Sequence, residues 1–382
     1  MNIYLVGGAV RDRLLGLPVR DRDWVVVGAT DAELLARGFK RADADFPVFL
    51  HPDSGEEYAL ARCETKTGPG YKGFSIDAGP HVSLEQDLIR RDLTINAIAE
   101  DEAGNLIDPF DGQSDLNAGV LRHISPAFIE DPVRLLRLAR FSARLGRWGF
   151  RVSHDTHKLM KIMVASGELG TLRGERVWQE MKQALLEDQP WRFFQVLQRC
   201  GALQRLNPAL SQAMSEDTPY STETGCPMVT ALQQAVKLGS SPSVRFTAAF
   251  FHAARVAGDA QKAVGDIRVE KAYLEQLKLT IRMAPLYPEA AAGDPQRLVG
   301  LIEGTRALQS GSRLEDFLAA ADVLWPELAG SRVTIMQALE TAAAITPGLL
   351  QQQGLQGAEL GRELKLQRVK AVGALVDGSE NG

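Results

Sequence analysis

The sequence predicts an α+β protein in which a small sheet flanked by helices is followed by a long helical region. Two observations support this fold class. Short β-branched runs alternate with glycine-containing turns and short helices over about the first 125 residues. From Pro132 onward the pattern is helical, with breaks at residues 146–149, 167–170 and 188–190. The 382 residues suggest two or three domains and are enough to bury a sizeable core.

The composition is that of an ordinary soluble protein, with 45% hydrophobic and 24% charged residues. No apolar run approaches the roughly 20 residues of a membrane span, so we expect no membrane partner. The first residues form a strand pattern without a basic segment or a cleavage site, and the three cysteines show no zinc or disulfide spacing. These features predict reduced thiols and a cytoplasmic location.

The first strand is predicted over residues 3–6 and leads into Gly7 and Gly8. A short helix follows until the next glycine and proline end it. A strand, a glycine pair and a helix N-terminus together offer backbone N–H groups to an anion, and Arg11 lies one turn into the helix. Gly8 would let a phosphate approach the backbone. A plain strand-to-helix turn with a surface arginine has the same sequence.

Two carboxylates, Asp21 and Asp23, stand two residues apart where the next apolar run begins. Because side chains alternate along a strand, both would point to the same face. Two like charges side by side repel unless a cation lies between them, and Mg²⁺ takes oxygen ligands of this kind. Glu57 is a possible third acid, although a solvated edge residue fits it as well. Two solvated acids before a buried strand are the alternative for the pair.

The remainder of this region alternates short elements with turns. Ser83 opens a capping-box helix that ends near Arg91. Residues 66–79 are rich in glycine and polar side chains, which predicts a mobile loop. Further strands are predicted over residues 48–50, 57–62, 94–99 and 120–124.

An arginine-rich helix is predicted to begin at Pro132, with Asp131 as its N-cap. Arg134, Arg137 and Arg140 recur every three residues and share one broad face. Asp131 can accept and Arg134 can donate hydrogen bonds, which matches the Watson–Crick edges of cytosine and adenine but not those of uracil and guanine. The pair could therefore select C and A without a nucleic-acid template. An amphipathic helix with a solvated cationic face is the alternative.

Together these motifs resemble the class II tRNA nucleotidyltransferases, the bacterial CCA-adding enzymes. The resemblance covers roughly residues 1–205 and rests on four segments in order, which are Leu5 to Asp12, Asp21 to Asp23, Arg90 to Ala97 and Glu130 to Arg137. Bacterial poly(A) polymerases share these motifs. A chain that starts almost at the first strand and shows no long basic tail suits the CCA-adding side.

The resemblance implies a polymerase-β-like nucleotidyltransferase head followed by an all-α neck, body and tail. The expected divisions are residues 1–125 for the head, 126–205 for the neck, 206–345 for the body and 346–382 for the tail. The sequence is compatible with a monomer or a homodimer.

The implied activity is addition of the 3′-terminal CCA to tRNA from CTP and ATP, with release of pyrophosphate. Asp21 and Asp23 would be the catalytic pair and would bind Mg²⁺. The nucleotide would be bound by Gly8, Arg11, Arg91, Asp131, Arg134, Arg137 and Arg140. The loop at 66–79 falls where the family has a flexible element needed to switch from C to A addition. The alternatives are a poly(A) polymerase, an enzyme adding only CC or only A, and a tRNA-binding protein without activity.

Charge and histidine usage bear on the helical region. Residues 131–185 carry eleven Lys and Arg against five acids, although the net charge of the whole chain is −5. Such a basic segment is the expected footprint of an RNA backbone, and a solvated helical surface is the alternative. The linker predicted over residues 210–225 leads into the body. A basic helix over residues 357–376 could touch the tRNA elbow, as the tail does in the family.

One branch of the family carries an HD phosphohydrolase in the body, a metal site that needs a His-Asp pair and further histidines. Here His252 is followed by Ala253 where Asp is required, and His252 is the last histidine in the chain. One histidine cannot assemble such a cluster. We therefore expect a degenerate HD-like body without phosphohydrolase activity, and His252 as a packed core residue.

Overall fold

The computed structural model describes residues 1–19, 21–43, 46–68, 73–216 and 226–379. The chain divides into two compact units, Met1–Leu206 and Asn207–Gly382. The predicted division between neck and body lies one residue from this boundary, and the finer division into head, neck, body and tail stays a prediction. Within the ranges given, no helix is long and apolar enough to cross a membrane.

The first unit is built on a mixed sheet. The described ranges contain the strands β1 (Asn2–Val6), β2 (Asp23–Val27), β3 (Lys40–Arg41), β4 (Val48–Leu50), β5 (Glu57–Leu60), β6 (Arg62–Lys66), β7 (Phe74–Ala78), β8 (Ala99–Glu100), β9 (Leu106–Ile107), β10 (Val120–Leu121) and β11 (Arg151–Val152). The main sheet has the order β3-β4-β5-β2-β1-β8-β9. β2 pairs antiparallel with β1 and parallel with β5, so the strand that begins at Asp23 is central.

Both faces of the main sheet are covered. Val25 and Val26 are consecutive in β2 and therefore point to opposite faces. Each is buried, and each belongs to a different apolar cluster. A strand that is buried on both sides holds its backbone firmly, which fixes the position of the acids at its start.

Helices complete the first unit. They are α1 (Gly8–Leu14), α2 (Asp31–Ala36), α3 (Leu84–Leu88), α4 (Gly112–Ala118), α5 (Val133–Leu145), α6 (His154–Ser166), α7 (Gly174–Leu186), α8 (Trp191–Cys200) and α9 (Ala202–Leu206). The predicted capping box at Ser83 is present at the start of α3, with Gln86 as its partner. The arginine-rich helix is α5, and its apolar side, including Leu135 and Leu138, is fully buried against α7 and α8.

The second unit contains helices and no strand among its described residues. Its helices are α10 (Pro208–Glu216), α11 (Pro227–Lys237), α12 (Pro242–Ala257), α13 (Ala260–Val264), α14 (Lys271–Met283), α15 (Tyr287–Ala291), α16 (Pro295–Gly304), α17 (Ser312–Leu324), α18 (Arg332–Ala344), α19 (Gly348–Gln352) and α20 (Gly357–Ser379). Tyr287 and Phe317 meet edge to face at 5.4 Å inside its apolar core. The predicted fold class is confirmed. The segment that was predicted to be an all-α neck contains one strand, β11, which pairs parallel with β10.

The strand predicted over residues 94–99 is wrong for most of its length. Thr94–Asn96 form a 3₁₀ turn, and only β8 follows as a strand. The hydroxyl of Thr94 donates to Asp115 at 2.7 Å, and the amide of Asn96 donates to Asp92 at 2.9 Å. These buried side-chain bonds favour the turn over the extended backbone that the β-branched residues suggested.

The loop predicted over residues 66–79 is wrong where β7 lies. β7 pairs antiparallel with β6 over five residues. Its residues alternate between half-buried and exposed, a pattern that is visible in Phe74-Ser75-Ile76-Asp77-Ala78. Residues 69–72 of the predicted loop lie outside the described residues.

The linker predicted over residues 210–225 begins too early, because α10 continues to Glu216. The remaining residues of that prediction, 217–225, lie outside the described residues.

Candidate active site

A cleft of about 1440 Å³ opens in the first unit between the main sheet and helices α5 and α7. All the site residues predicted from the sequence line this cleft, namely Gly8, Arg11, Asp21, Asp23, Arg91, Asp131, Arg134, Arg137 and Arg140. They come from segments more than a hundred residues apart in the chain. The structure therefore brings the predicted set together in one place.

The acid pair lies at the start of β2. The strand begins at Asp23, so Asp21 precedes it, contrary to the prediction that both acids lie on the strand. Both residues are exposed, and among the described residues neither carboxylate has a hydrogen-bond or ion-pair partner. The parallel register of β2 and β5 places Glu57 opposite Asp23, and Glu57 lines the same cleft.

Exposed carboxylates without a competing cation are oxygen ligands that suit a divalent metal ion such as Mg²⁺. In the part of the chain that the structure describes, no three His, Cys, Asp or Glu side chains form a metal-binding group of their own. Asp21 and Asp23 would therefore share the ion with oxygens of the substrate, which is how Mg²⁺ is commonly held beside phosphates. The carboxylates of Asp21 and Asp23 are therefore suitable ligands for Mg²⁺.

The turn between β1 and α1 depends on Gly7 rather than on Gly8. Gly7 has φ +70°, a backbone conformation that glycine adopts without strain. A Cβ at this position would lie 3.0 Å from Nη1 of Arg91. Gly8 is the first residue of α1 and lines the cleft. The predicted site included Gly8 but not Gly7, although the adjacent glycine indicates the same turn.

Arg11 is buried and firmly held. Its guanidinium donates to the carboxylate of Asp12 at 2.9 and 2.7 Å and to Oδ1 of Asn96 at 2.5 Å. It also lies over the ring of Phe141, 4.9 Å from the centroid. Burial lowers the pKa of Arg11, and the charge of Asp12 opposes that shift, so the side chain stays a cation.

Asp92 joins the head to α5. Its carboxylate accepts hydrogen bonds from Arg137 Nε at 2.7 Å, from Asn96 Nδ2 at 2.9 Å and from the backbone N–H of Leu93 at 2.9 Å. Burial disfavours the charged form, but Arg137 and the other donors hold the pKa of Asp92 well below its usual range. Asp92 in turn raises the pKa of Arg137. Asp92 lies within a predicted motif, but local sequence does not indicate its role.

Asp87 holds the arginine pair that follows α3. It is fully buried and pairs with Arg90 at 2.7 Å and with Arg91 at 3.1 Å, while Arg90 also pairs with Glu64 of β6 at 3.0 Å. Burial opposes ionisation of Asp87, but the two arginines hold its pKa below the usual range. Arg91 is therefore fixed between Asp87 and the Gly7 turn.

The start of α5 carries the acid–arginine pair expected to read the base. The N-cap prediction is off by one residue, because α5 begins at Val133 and Pro132 occupies the N-cap position. The carboxylate of Asp131 still accepts from the N–H of Val133 at 3.0 Å. Arg134 is buried and donates to the carbonyls of Ala127 at 3.0 Å and Arg90 at 2.7 Å. Both side chains line the cleft. The hydrogen bonds to backbone carbonyls hold the guanidinium of Arg134 in one orientation.

Farther along α5, further arginines pair with acids of other elements. Arg140 pairs with Glu180 of α7 at 2.6 Å, and Arg144 pairs with Asp12 of α1 at 2.6 Å. The alternative of a solvated cationic face on this helix is wrong, because these side chains are held inside the cleft wall. Glu180 and Asp12 could not have been assigned from local sequence, since each meets its arginine only in the folded chain.

Some predicted cations elsewhere are engaged within the second unit. On α20, Lys365 and Arg368 each lie 3.6 Å from a carboxylate oxygen of Glu303. Arg368 also donates to the carbonyl of Ile345. This side of the basic helix contributes to the fold of its own unit, and the predicted contact of the tail with tRNA stays a prediction.

Comparison with known proteins places the chain in a family. The model of the poly A polymerase head domain matches residues 3–122, and that of a probable RNA- and SrmB-binding site of polymerase A matches residues 149–214. Proteins named Multifunctional CCA protein are 44% identical in Thioalkalivibrio sulfidiphilus and 43% identical in Pseudomonas aeruginosa. The alignments cover 97% and 98% of this chain and 98% of each relative. The chain belongs to the CCA-adding family of tRNA nucleotidyltransferases.

Solved structures of CCA-adding enzymes share the fold of this family member. The Bacillus stearothermophilus CCA-adding enzyme in complex with CTP aligns with a TM-score of 0.68 at 20% identity, over 99% of this chain and 89% of the other. The Thermotoga maritima CCA-adding enzyme complexed with tRNA aligns with a TM-score of 0.63 at 21% identity, over 98% and 87%. The predicted resemblance to class II enzymes is confirmed.

Proposed function

We propose that this protein adds the 3′-terminal CCA to tRNA by transferring CMP and AMP from CTP and ATP. The 3′-hydroxyl of the tRNA attacks the α-phosphorus, a new phosphodiester bond forms, and the bond to the β-phosphate oxygen breaks as pyrophosphate leaves. The observation that carries the proposal is the cleft that brings together two exposed acids, a glycine turn and an arginine-rich helix, where neither acid has a cation partner among the described residues. Family membership supports the same reaction.

Asp21 and Asp23 are the residues we assign to Mg²⁺. When bound, the ion would lower the pKa of the attacking hydroxyl and would stabilise the charge that develops on the departing pyrophosphate. Two observations support this assignment. Both carboxylates are exposed in the cleft, and among the described residues neither has a cation partner. Chelation should stop nucleotide addition, and added Mg²⁺ should restore it.

The phosphates of the nucleotide are assigned to Gly8, Arg11 and Arg91. Each lines the same cleft as the acid pair. Arg91 is held by Asp87 and Arg11 by Asp12, so both guanidinium groups are oriented before the substrate arrives. Pre-oriented cations lose little conformational entropy on binding, which favours an anionic ligand.

Base selection is assigned to Asp131 and Arg134, with Arg137 and Arg140 as further contacts to the nucleotide. An acceptor and a donor, held on one helix end, match the edges of cytosine and adenine. The fixed orientation of Arg134 supports this role, because a template made of side chains must not move.

One assay tests the reaction. Purified protein is incubated with Mg²⁺, tRNA lacking its 3′ end, and labelled CTP or ATP. Incorporation of two C and one A supports CCA addition. Long A tails would establish the poly(A) polymerase instead, an alternative kept because the head matches a poly A polymerase model. Addition of only CC or only A would identify a partial enzyme, and no incorporation would leave a binding protein.

We also propose that the second unit has no phosphohydrolase activity and that the protein acts in the cytoplasm. In α12 the buried Ala253 follows His252, so the pair that an HD site requires is incomplete. His252 is half-buried and stacks edge to face with Phe251 at 5.5 Å, so it is less enclosed than the predicted core residue. Release of phosphate or opening of a 2′,3′-cyclic nucleotide above a blank would refute the first proposal.

A further inference from the structure

An exposed aromatic side chain lies at the rim of the cleft. Among the large apolar side chains that are exposed in the described part of the chain, Trp148 is the aromatic one, with 39% of its surface exposed. It lines the cleft, as does the exposed Leu186 at the end of α7. Tryptophan is usually well buried, and an exposed indole beside a cleft indicates a contact surface for a ligand.

The turn that carries Trp148, residues 146–148, is stabilised by hydrogen bonds from α8. Arg192 of α8 donates to the carbonyl of Gly146 at 3.3 Å and to that of Phe150 at 2.6 Å, so it fixes both ends of the turn. Gly149 has φ +82° and donates its N–H to Gly146 at 3.0 Å. The indole is therefore presented by a rigid support.

A cation lies against the same ring. The guanidinium of Arg147 is 4.6 Å from the centroid of the Trp148 ring. Arg147 is also paired with Asp188 at 2.7 Å, which keeps it in position. An aromatic ring beside an arginine is the combination that binds single-stranded nucleic acid, since the ring stacks on a base and the cation attracts the backbone.

The distance along α5 decides which base can reach this ring. Arg134 and Leu145 are eleven residues apart on one helix, which corresponds to roughly 16 Å at 1.5 Å per residue. Trp148 lies beyond Leu145. A nucleotide whose base is read by Asp131 and Arg134 therefore cannot also place that base on Trp148, and the ring is available to the acceptor strand.

We propose that Trp148 is a stacking platform for an unpaired base at the 3′ end of the tRNA acceptor. The inference rests on the proposed function, because it requires an acceptor with an unpaired 3′ end. Stacking on a ring face does not depend on base identity. Such a platform can hold the acceptor end whichever nucleotide terminates it.

Substitutions at Trp148 test the platform kinetically. Trp148→Leu removes the aromatic face, whereas Trp148→Phe keeps one. We expect Trp148→Leu to raise KM for tRNA lacking its 3′ end about tenfold and to leave KM for CTP unchanged. Trp148→Phe should stay within about threefold of the wild type. Ile162→Ala is the matched control, because Ile162 is 56% exposed on α6 and does not line the cleft.

A spectroscopic measurement tests the contact itself. The probe is a tRNA that carries the fluorescent base 2-aminopurine at its 3′ end. Its fluorescence should be quenched when it binds to the wild type or to Trp148→Phe, and much less when it binds to Trp148→Leu. Equal quenching by all variants, or a change in KM for CTP alone, would overturn the inference. If the wild type itself incorporates no nucleotide, the proposed function fails, and the quenching still reports on Trp148.

Discussion

The two compact units bury different kinds of polar side chain. In the described part of the first unit the buried charged side chains are Arg11, Asp12, Asp87, Asp92, Glu100, Asp115, Arg134 and Arg140. In the described part of the second unit the buried polar side chains are neutral, namely Asn207, Ser211, Thr247, Gln276, Thr280 and Thr305. A buried charge is costly unless it is paired, so the first unit depends on its ion pairs in a way that the second does not.

The partners of these buried polar groups differ as well. In the second unit the hydroxyls of Thr247 and Thr280 each donate to a carbonyl four residues earlier in their own helix, at 2.9 Å. Thr305, which follows α16, donates to the carbonyl of Leu301 at 2.9 Å. In the first unit Arg144 reaches Asp12, 132 residues away in the chain. Charged side-chain pairs therefore connect distant segments around the cleft. In the second unit the long-range buried bonds run from neutral amides to backbone carbonyls, from Asn207 to Ala263 at 2.8 Å and from Gln276 to Asp316 at 2.7 Å.

The largest expected effect is on activity at the exposed acids. Asp21→Asn removes one charge from the metal pair, and we expect incorporation to fall by at least about 10³-fold, or about 4 kcal/mol. Because among the described residues Asp21 has no partner, stability and tRNA binding should not change. Asp53→Asn, at an exposed acid outside the cleft, is the control and should retain full activity. Near-normal turnover of Asp21→Asn would contradict the metal assignment.

A core substitution probes the apolar second unit. Phe317 is fully buried in the apolar core of this unit, which also contains Tyr287. Phe317→Ala should lower the free energy of unfolding by about 4 kcal/mol, through lost burial and a remaining cavity. Urea denaturation followed by circular dichroism measures the loss. A cost below about 1 kcal/mol would mean that packing is not what holds this unit.

Asp92→Asn probes the charged first unit. It leaves Arg137 without its anion, and we expect a loss of about 3 kcal/mol at pH 7. The pKa of Asp92 is depressed in the folded state, so its contribution is present above its usual pKa of about 3.9 and is lost as the pH falls through the folded value. The difference between wild type and variant should shrink as the pH falls below about 4. A difference that stays constant with pH would contradict the ionic origin.

The smallest effect is expected for a buried hydroxyl of the second unit. Thr280→Val removes a hydrogen bond that Thr280 makes within its own helix, and it keeps the shape of the side chain. We expect a change in unfolding free energy of less than about 1.5 kcal/mol, without pH dependence. Measured beside Asp92→Asn, it gives the contrast between a neutral and a charged buried group directly.

Much of the site was predictable because it is encoded in short local patterns. The spacing of Asp21 and Asp23, the glycine turn and the three-residue repeat of arginines all follow from strand and helix geometry. What local patterns do not contain is the set of partners. Asp92 and Glu180 acquire their roles only when α5 packs against the head and α7.

The same reason explains the predictions of fold that are wrong. The β-branched run from Thr94 favours a strand locally, yet the bond from Thr94 to Asp115, 21 residues away, favours a turn, together with the local bond from Asn96 to Asp92. β7 was hidden by neighbouring glycines, although its alternation of apolar and polar residues was present. In this segment the alternation of residues indicates the strand, whereas the glycine-rich composition indicates a loop.

The layout of the cleft along the chain has a consequence for its assembly during translation. The last residue that lines the cleft is Asp188, and the first unit ends at Leu206, so everything the cleft needs precedes the second unit. Within the first unit, β1 must wait for Glu100 before it gains its second neighbour. A nascent chain arrested before α5 would therefore carry the acid pair on its sheet but would lack the arginines of α5 that line the cleft. Once α8 has emerged, the cleft can close while the second unit is still being synthesised.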